Sequence, residues 1–455
     1  MGSVSTPLPT PPRPAAPPDA TGRAARSVLW ALAAVVAGVL AMGVTAALGL
    51  WAAGAADLPG GASAFVAVLA AVVVMATGGQ ISLSGDAGAL AGTRAELTAM
   101  PLSVTLVGAL VTGAVFLRPL RHHAVAPARA LLALAVPTVL LWLAALGGLS
   151  ALARHDFPIS LGGGTTEDTG DLGELFKDLL DAAEPTVGFT TDVGPTLFYG
   201  LLWILGVLVV ALLVSRGAPL PARYVRRHQA VRPAASAVLL LLLAYVAVAL
   251  VIGLVVAATK GHAAETLAVV LLGLPNVAWL ALGVGVGGSW EGRAEGPFGL
   301  PMPRILDSVL RGGDGGKDLS TVDLGTLASY DGRAWWLLPA AAVLILGAAL
   351  VMAVRSPAHV TPWRHGLHFG VALGLGFLVV LPLTLVEARF GLSVLGIGDL
   401  TALGAEVVLR PHIWTTVALA ALWGAVTGTL AGFLTTRVRR RGEVPADTDR
   451  ARETA

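Results

Sequence analysis

Residues 78–118 read GGQISLSGDAGALAGTRAELTAMPLSVTLVGALVTGAVFLR, and the punctuation of that stretch decides the fold. An apolar run stops at Gly78-Gly79-Gln80. A polar insert carrying Asp86, Arg94 and Glu96 follows, apolar sequence resumes at Pro101, and the stretch closes on Phe116-Leu117-Arg118-Pro119. The same order returns downstream: Gly287-Gly288-Ser289, a longer polar insert, an apolar run from Trp335, then Val354-Arg355-Ser356-Pro357. The recurrence speaks to architecture and names no substrate.

Working outward, the chain of 455 residues is 55% hydrophobic and only 13% charged, with mean hydropathy +0.78. A soluble domain carries about 25% charged residues. Ten apolar segments stand out, at 27–53, 62–78, 102–117, 130–153, 196–215, 235–258, 264–287, 336–354, 367–386 and 412–436. At about 1.5 Å per residue most of them can cross a hydrocarbon core about 30 Å thick. The expected fold class is all-α, a polytopic transmembrane helical bundle. The first segment is about twice the length of a signal h-region and reads as a retained span. Residues 1–26 and 438–455 read as polar tails, the first of them Pro-rich.

Basic residues discriminate between topologies. If all ten segments cross, Lys and Arg divide 15 to 15 between the two sides. If 62–78 and 264–287 instead enter and leave on the outer side, the division becomes 19 inside against 11 outside. The second arrangement obeys the positive-inside rule. Eight spans plus two re-entrant or broken segments are therefore expected, with ten ordinary spans as the alternative and both termini cytoplasmic. The two anomalies fall at matching places in two halves, 27–216 and 235–437, joined by a basic cytoplasmic linker at 217–234. Like-oriented repeats follow, with an acidic outer loop at 154–195 and an outer insert at 289–334. Within these, Asp171 to Glu184 and Pro303 to Arg311 read as short amphipathic helices, and Gly312 to Gly316 as a turn.

The stretch Gly78-Gly79-Gln80, with Ala99-Met100-Pro101-Leu102, Val107-Gly108-Ala109-Leu110 and Phe116-Leu117-Arg118-Pro119-Leu120-Arg121, resembles the streptophobe family of Streptomyces membrane proteins. The resemblance covers most of the chain after the Pro-rich tail. It implies an integral membrane location and carries over no activity and no binding residue. Low lysine (Lys177, Lys260 and Lys317 only) with abundant Ala and Gly agrees with a GC-rich, actinobacterial source.

Helices that end in glycine leave free backbone groups, which at membrane depth are tolerated only against protein or a water-filled cavity. On that ground the candidate solute path comprises Gln80, Asp86, Arg94, Glu96, Ser289, Glu387 and Arg389. Bland readings compete: an ordinary surface loop carrying Asp86, Arg94 and Glu96, and, for Glu387-Ala388-Arg389 with Asp399, Glu406 and Arg410 beyond it, an outer loop with a self-paired Glu and Arg. Gly424, Gly428 and Gly432, and Gly370 with Gly374, form small-residue ridges suited to helix packing. The absence of cysteine excludes disulfides and thiol catalysis. The nine histidines lack an HxxxH pair with a carboxylate, so neither metal nor cofactor is expected. Asp178 and Asp181 fit the polar face of their amphipathic helix, and Gly312 to Lys317 lacks the first glycine and the Ser/Thr of a phosphate loop. No enzyme is expected.

Two functions survive. One is a permease for a small solute or ion, its path between the halves. The alternative is a non-catalytic membrane scaffold or accessory subunit that binds a membrane or extracytoplasmic protein partner through its outer loops. The lipid bilayer is a partner in either case, and nucleic acid is in neither.

Overall fold

The computed structural model describes residues 20–57, 60–86, 91–122, 128–158, 186–215, 222–295, 320–357, 360–394 and 399–437. The expected helices within 171–184 and 303–311, and the glycine turn at 312–316, lie outside them. The protein is a multi-pass helical membrane protein. Its helices are α1 (Ala20–Ala52), α2 (Gly61–Met75), α3 (Leu102–Leu117), α4 (Ala128–Leu152), α5 (Val193–Val214), α6 (Ala222–Thr259), α7 (Ala263–Gly285), α8 (Leu324–Tyr330), α9 (Leu337–Arg355), α10 (Pro362–Leu383) and α11 (Ile413–Leu434). Eight of these, all but α2, α3 and α8, are long and apolar enough to cross a bilayer.

The segments between helices on one side of the bundle carry a feature that the segment-by-segment reading omits. Strands β1 (Ile81–Asp86), β2 (Ala91–Ala99), β3 (His155–Pro158), β4 (Thr186–Thr191), β5 (Trp290–Glu295), β6 (Ser320–Val322), β7 (Val386–Val394) and β8 (Asp399–Pro411) form one antiparallel sheet. Its order is β3-β4-β1-β2-β7-β8-β5-β6. The polar insert between Gln80 and Met100 is thus the β1–β2 hairpin and not a loop. The reason is visible in Ile81-Ser82-Leu83-Ser84, where apolar and polar residues alternate with the period of a strand.

A single sheet constrains which helices cross. Helices α5, α6 and α7 all lie between β4 and β5. Three crossings would deliver β5 to the wrong end of the bundle, so one helix must turn back. Contacts identify it as α7. A side chain at Gly49, in the last turn of α1, would meet Leu271 and Leu272; one at Gly285 would meet Leu337 and Ala341, where α9 begins. Between them Asn276 bonds Met100 and Leu102, where α3 begins. Helix α7 therefore passes the sheet-side ends of α1, α3 and α9, and lies antiparallel along α6, with Val270 beside Gly253 and the Trp279 indole N–H donating to Leu242 O. Helix α2 is held likewise, with Gly60 against His155 and Gly79 against Thr196. By length and apolarity eight helices qualify as spans, α7 among them. Helix α3 has only 16 residues and lies antiparallel along α1, Gly38 facing Thr112 and Gly108 facing Met42.

Glycine sets where the returning helices stop. Gly78 (φ 94°) and Gly287 (φ 92°) take the left-handed conformation, which residues with a Cβ avoid. Gly79 N–H then donates to Val74 O and Gly78 N–H to Met75 O; Gly288 to Gly283 O and Gly287 to Val284 O repeat the pattern. Both ends are Schellman motifs that use up the last carbonyls of α2 and α7.

Each half has its own apolar core. One gathers Ala34, Met42, Phe116, Trp142 and Ile204 from α1, α3, α4 and α5. Trp142 stacks on Trp203 there, at 4.6 Å between ring centres. The other gathers Leu241, Ile345, Phe369 and Ala420, and it reaches Trp290, Val322 and Leu409 of the sheet. Polar bonds join the halves where β2 turns into α3. Pro275 weakens α7 by removing an N–H donor, and the Ser103 hydroxyl donates to Val270 O (2.8 Å) while accepting from Leu274 N–H (3.1 Å). The Asn276 amide accepts from Leu102 N–H and donates to Met100 O. Asn276→Ala strands both backbone groups and is expected to cost about 1–3 kcal/mol. Denaturant unfolding in detergent reads this out, and an unchanged midpoint would show the clamp to be dispensable.

Candidate functional site

The sheet has two chemically distinct faces, and the register assigns every strand position to one of them, because directly opposed residues share a face. On the inner face Ile81, Phe189, Trp290, Val322, Val407 and Leu409 are buried against the helices. Ile81 and Phe189 pack on Ala67, Ala70, Ala71 and Val74 of α2. Trp290 and Val322 join the core of the second half. The bundle is therefore closed on this side by an apolar sheet face.

The alternate positions are polar. One row reads Thr190, Ser82, Glu96, Arg389, Glu406, Glu295 across six neighbouring strands. A second aligns Ser84, Arg94 and Gly391, and a third Thr98, Glu387, Val408 and Arg293. The register opposes Glu96 to Arg389 and Glu291 to Arg410, as a stable antiparallel pair prefers, but also Glu295 to Glu406. Near the end of β8 the Arg410 guanidinium meets the Glu387 carboxylate at 2.7 Å, and His412 Nε2 lies 3.2 Å from Glu291 Oε1. Glu387 and Arg410 lie on strands and not in the outer loop of the bland reading, and Glu387 pairs with Arg410 of the next strand. Such a pair is worth about 0–1 kcal/mol where solvent reaches it, and half of the Arg410 side chain remains exposed.

This placement revises the expected site. Asp86, Arg94, Glu96, Glu387 and Arg389 all occupy positions on the sheet's polar face. Gln80 is exposed immediately before β1, and Ser289 immediately before β5 accepts the His412 N–H through its carbonyl. The fold does bring together residues from the two halves, since Glu96 and Arg389 are partners across the β2–β7 seam. It brings them together on a strand pair, away from any space between helices.

What lies between the helices is apolar. Among the residues whose side-chain burial is described no Asp, Glu, Lys or Arg is buried; the buried polar side chains there are Thr and Ser, with His365. Most of these hydroxyls bond back into their own helix, as Thr138 does to Leu134 O and Thr427 to Trp423 O. No group of three potential metal ligands occurs among the described residues. Sequence reasoning missed Glu291, Arg410 and His412 as members of one cluster. Its signal was the apolar–polar alternation in Trp290-Glu291-Gly292-Arg293; Glu406-Val407-Val408-Leu409-Arg410 does not alternate, and Val407, Val408 and Leu409 are all buried. Comparison with models of known families, with curated proteins and with solved structures finds no match in any of the three.

Proposed function

We propose that the protein is a non-transporting membrane scaffold that presents its eight-stranded sheet, polar face outward, to an extracytoplasmic partner. One observation carries the reading: among the residues whose side-chain burial is described, no carboxylate and no Lys or Arg is buried. A permease for an ion or polar solute needs ionisable or hydrogen-bonding groups converging on a water-filled path, and intramembrane charges mark such paths. Here the interior is mainly Ala, Leu, Val and Gly, and its polar groups are scattered hydroxyls, some bonded to their own helix and others, on Thr112, Ser150, Thr196 and Thr416, without a partner. No catalytic constellation accompanies them, and the reading includes no enzymatic step.

The proposal places the sheet outside and both termini in the cytoplasm of a plasma-membrane protein. Arg26, Arg118, Arg129, Arg355 and Arg364 lie at the helix ends away from the sheet, in agreement with the positive-inside rule. Exposed Trp51, Trp335, Trp336 and Trp414 ring the sheet-side ends, and Trp30 and Trp363 the far ends, as interfacial aromatics do. It further takes the halves as like-oriented repeats. Support comes from corresponding registers: Ile81 opposite Thr191 and Trp290 opposite Pro411, each two residues after the second glycine. Membership in the streptophobe family belongs to the same proposal.

Thiol scanning tests the sealed interior, because the chain has no native cysteine. Cysteines replacing Thr112, Thr138 and Thr427, all buried, are expected to stay unmodified by a membrane-impermeant thiol reagent applied from either side. A cysteine replacing exposed Ser84 should react to completion under the same conditions. Modification of the interior positions from both sides would restore the permease.

A further inference from the structure

The seam between the halves is heterologous. It joins β2 of the first half to β7 of the second, and β7 stands in its half where β3 stands in the first. The order within each half is the same: β3-β4-β1-β2, then β7-β8-β5-β6. Directions also correspond, since every neighbouring pair is antiparallel. The outer strands of the whole sheet are consequently β3 and β6, the counterparts of β7 and β2. Among the described residues neither has a strand on its outer side, and the two run in opposite directions. A second copy set beside the first can repeat the seam.

The helices beneath carry the same asymmetry. Burial along α1 at Ala31, Ala34, Val35, Gly38 and Met42 is matched along α6 at Ala234, Ala237, Val238, Leu241 and Tyr245. Continuing that alignment sets Gly49 against Ile252. Gly49 is buried beneath Leu271 and Leu272 of α7, whereas Ile252 is 58% exposed. Matching the glycine ends of α2 and α7 sets Val270, Leu271, Leu272 and Pro275 against Gly61, Ala62, Ser63 and Val66. The α7 residues meet α1 and α3 across the seam; the α2 residues are all exposed, Val66 by 49%. Among the described residues both surfaces that the halves use to hold each other thus recur uncovered, one on each flank.

We propose that the protein associates with further copies of itself head to tail, β6 and α6 of one copy meeting β3 and α2 of the next. Such a joint does not close by itself and generates rows, in contrast to an isologous dimer. The register is transferable. Glu96 opposes Arg389 and Leu97 opposes Ala388 in the seam. Thr321 and Val322 correspond to Glu96 and Leu97, because Val322 pairs with Trp290 as Leu97 pairs with Ile81. Pro158 and Phe157 correspond to Arg389 and Ala388, because they pair with Thr186 and Val187 as those do with Glu406 and Val407. Thr321 of one copy therefore opposes Pro158 of the next, and Val322 opposes Phe157. The inference rests on the reading of the halves as like-oriented repeats, and is independent of whether the sheet binds another protein.

Disulfide trapping tests it in membranes from cells making the full chain. Opposed Cα atoms in an antiparallel pair are about 4.5–5.5 Å apart, within disulfide reach. The pair Leu97→Cys with Ala388→Cys, in one chain, should close an internal bridge and serves as the seam control. Thr321→Cys chains mixed with Pro158→Cys chains should give dimers only, and a chain with both substitutions should give a ladder. Phe157→Cys with Val322→Cys repeats the test one position along. Bridging between two Thr321→Cys chains, or no inter-chain bridge while the control closes, would overturn the head-to-tail joint alone. Failure of the control would overturn the seam, and with it the reading on which the joint rests.

Discussion

Gly428→Leu is expected to disrupt the second half of the bundle. Helices α10 and α11 are held by two facing glycine ridges, and a Cβ at Gly428 would stand 2.8 Å from His365 O and 3.0 Å from the Gly366 Cα. At Gly424 it would stand 2.8 Å from the Gly370 Cα, and at Gly370 2.8 Å from Ala421 O. The obstacles are backbone atoms, which no rotamer change can move aside. In lipid the hydrophobic effect does not press helices together, so close approach of backbones carries much of their association. Overpacking typically costs about 1–3 kcal/mol where side chains can adjust; a leucine facing a rigid helix backbone belongs at or above the top of that range. Gly206→Leu is the control, because a Cβ there meets open space. Thermal unfolding in detergent should show a large loss for Gly428→Leu and almost none for Gly206→Leu. Equal stability of the two would remove the glycine ridges from the account.

Trp290→Ala is the second substitution with a large expected effect. Trp290 is 0% exposed, its ring lies over Gly283 near the end of α7, and its backbone pairs with both Val322 and Pro411. Its indole N–H makes no hydrogen bond, so the loss is one of packing. Emptying a tryptophan site typically costs about 3–5 kcal/mol. The expected result is a lowered unfolding midpoint together with release of the second half of the sheet, seen as faster amide exchange in β5 and β6. The counterpart substitution Ile81→Ala removes less volume and should cost less. A neutral Trp290→Ala would mean that the sheet is not seated on the bundle.

Sequence reading reached the helical layout because the pattern is long-ranged: runs of Leu, Val and Ala of membrane length need no partner to be recognised. The two returning segments were legible from Gly78-Gly79 and Gly287-Gly288, since glycine at a helix end reports a local backbone requirement. The sheet was harder to read. Its strands are separated by whole helices, and β2 pairs with β7 almost 300 residues away. Short alternations such as Ile81-Ser82-Leu83-Ser84 are weak alone and become informative only once eight are aligned. That same gap hid how the candidate residues are paired. Glycine-ended helices suggested an aqueous path, whereas the polar residues after them satisfy their backbone in strands and lie on the sheet's outer face positions. Glu96 and Arg389 were both singled out, yet nothing in their local sequence says that they oppose each other.

The central claim is that both halves deliver their strands to one side of the membrane. Single cysteines replacing Ser84 in the first half and Thr321 in the second, both exposed, test it most directly with an impermeant thiol reagent on intact cells. The account predicts that both react from outside, while a cysteine replacing Arg118 or Arg364 reacts only after the membrane is opened. Reaction of positions 84 and 321 from opposite sides would contradict it.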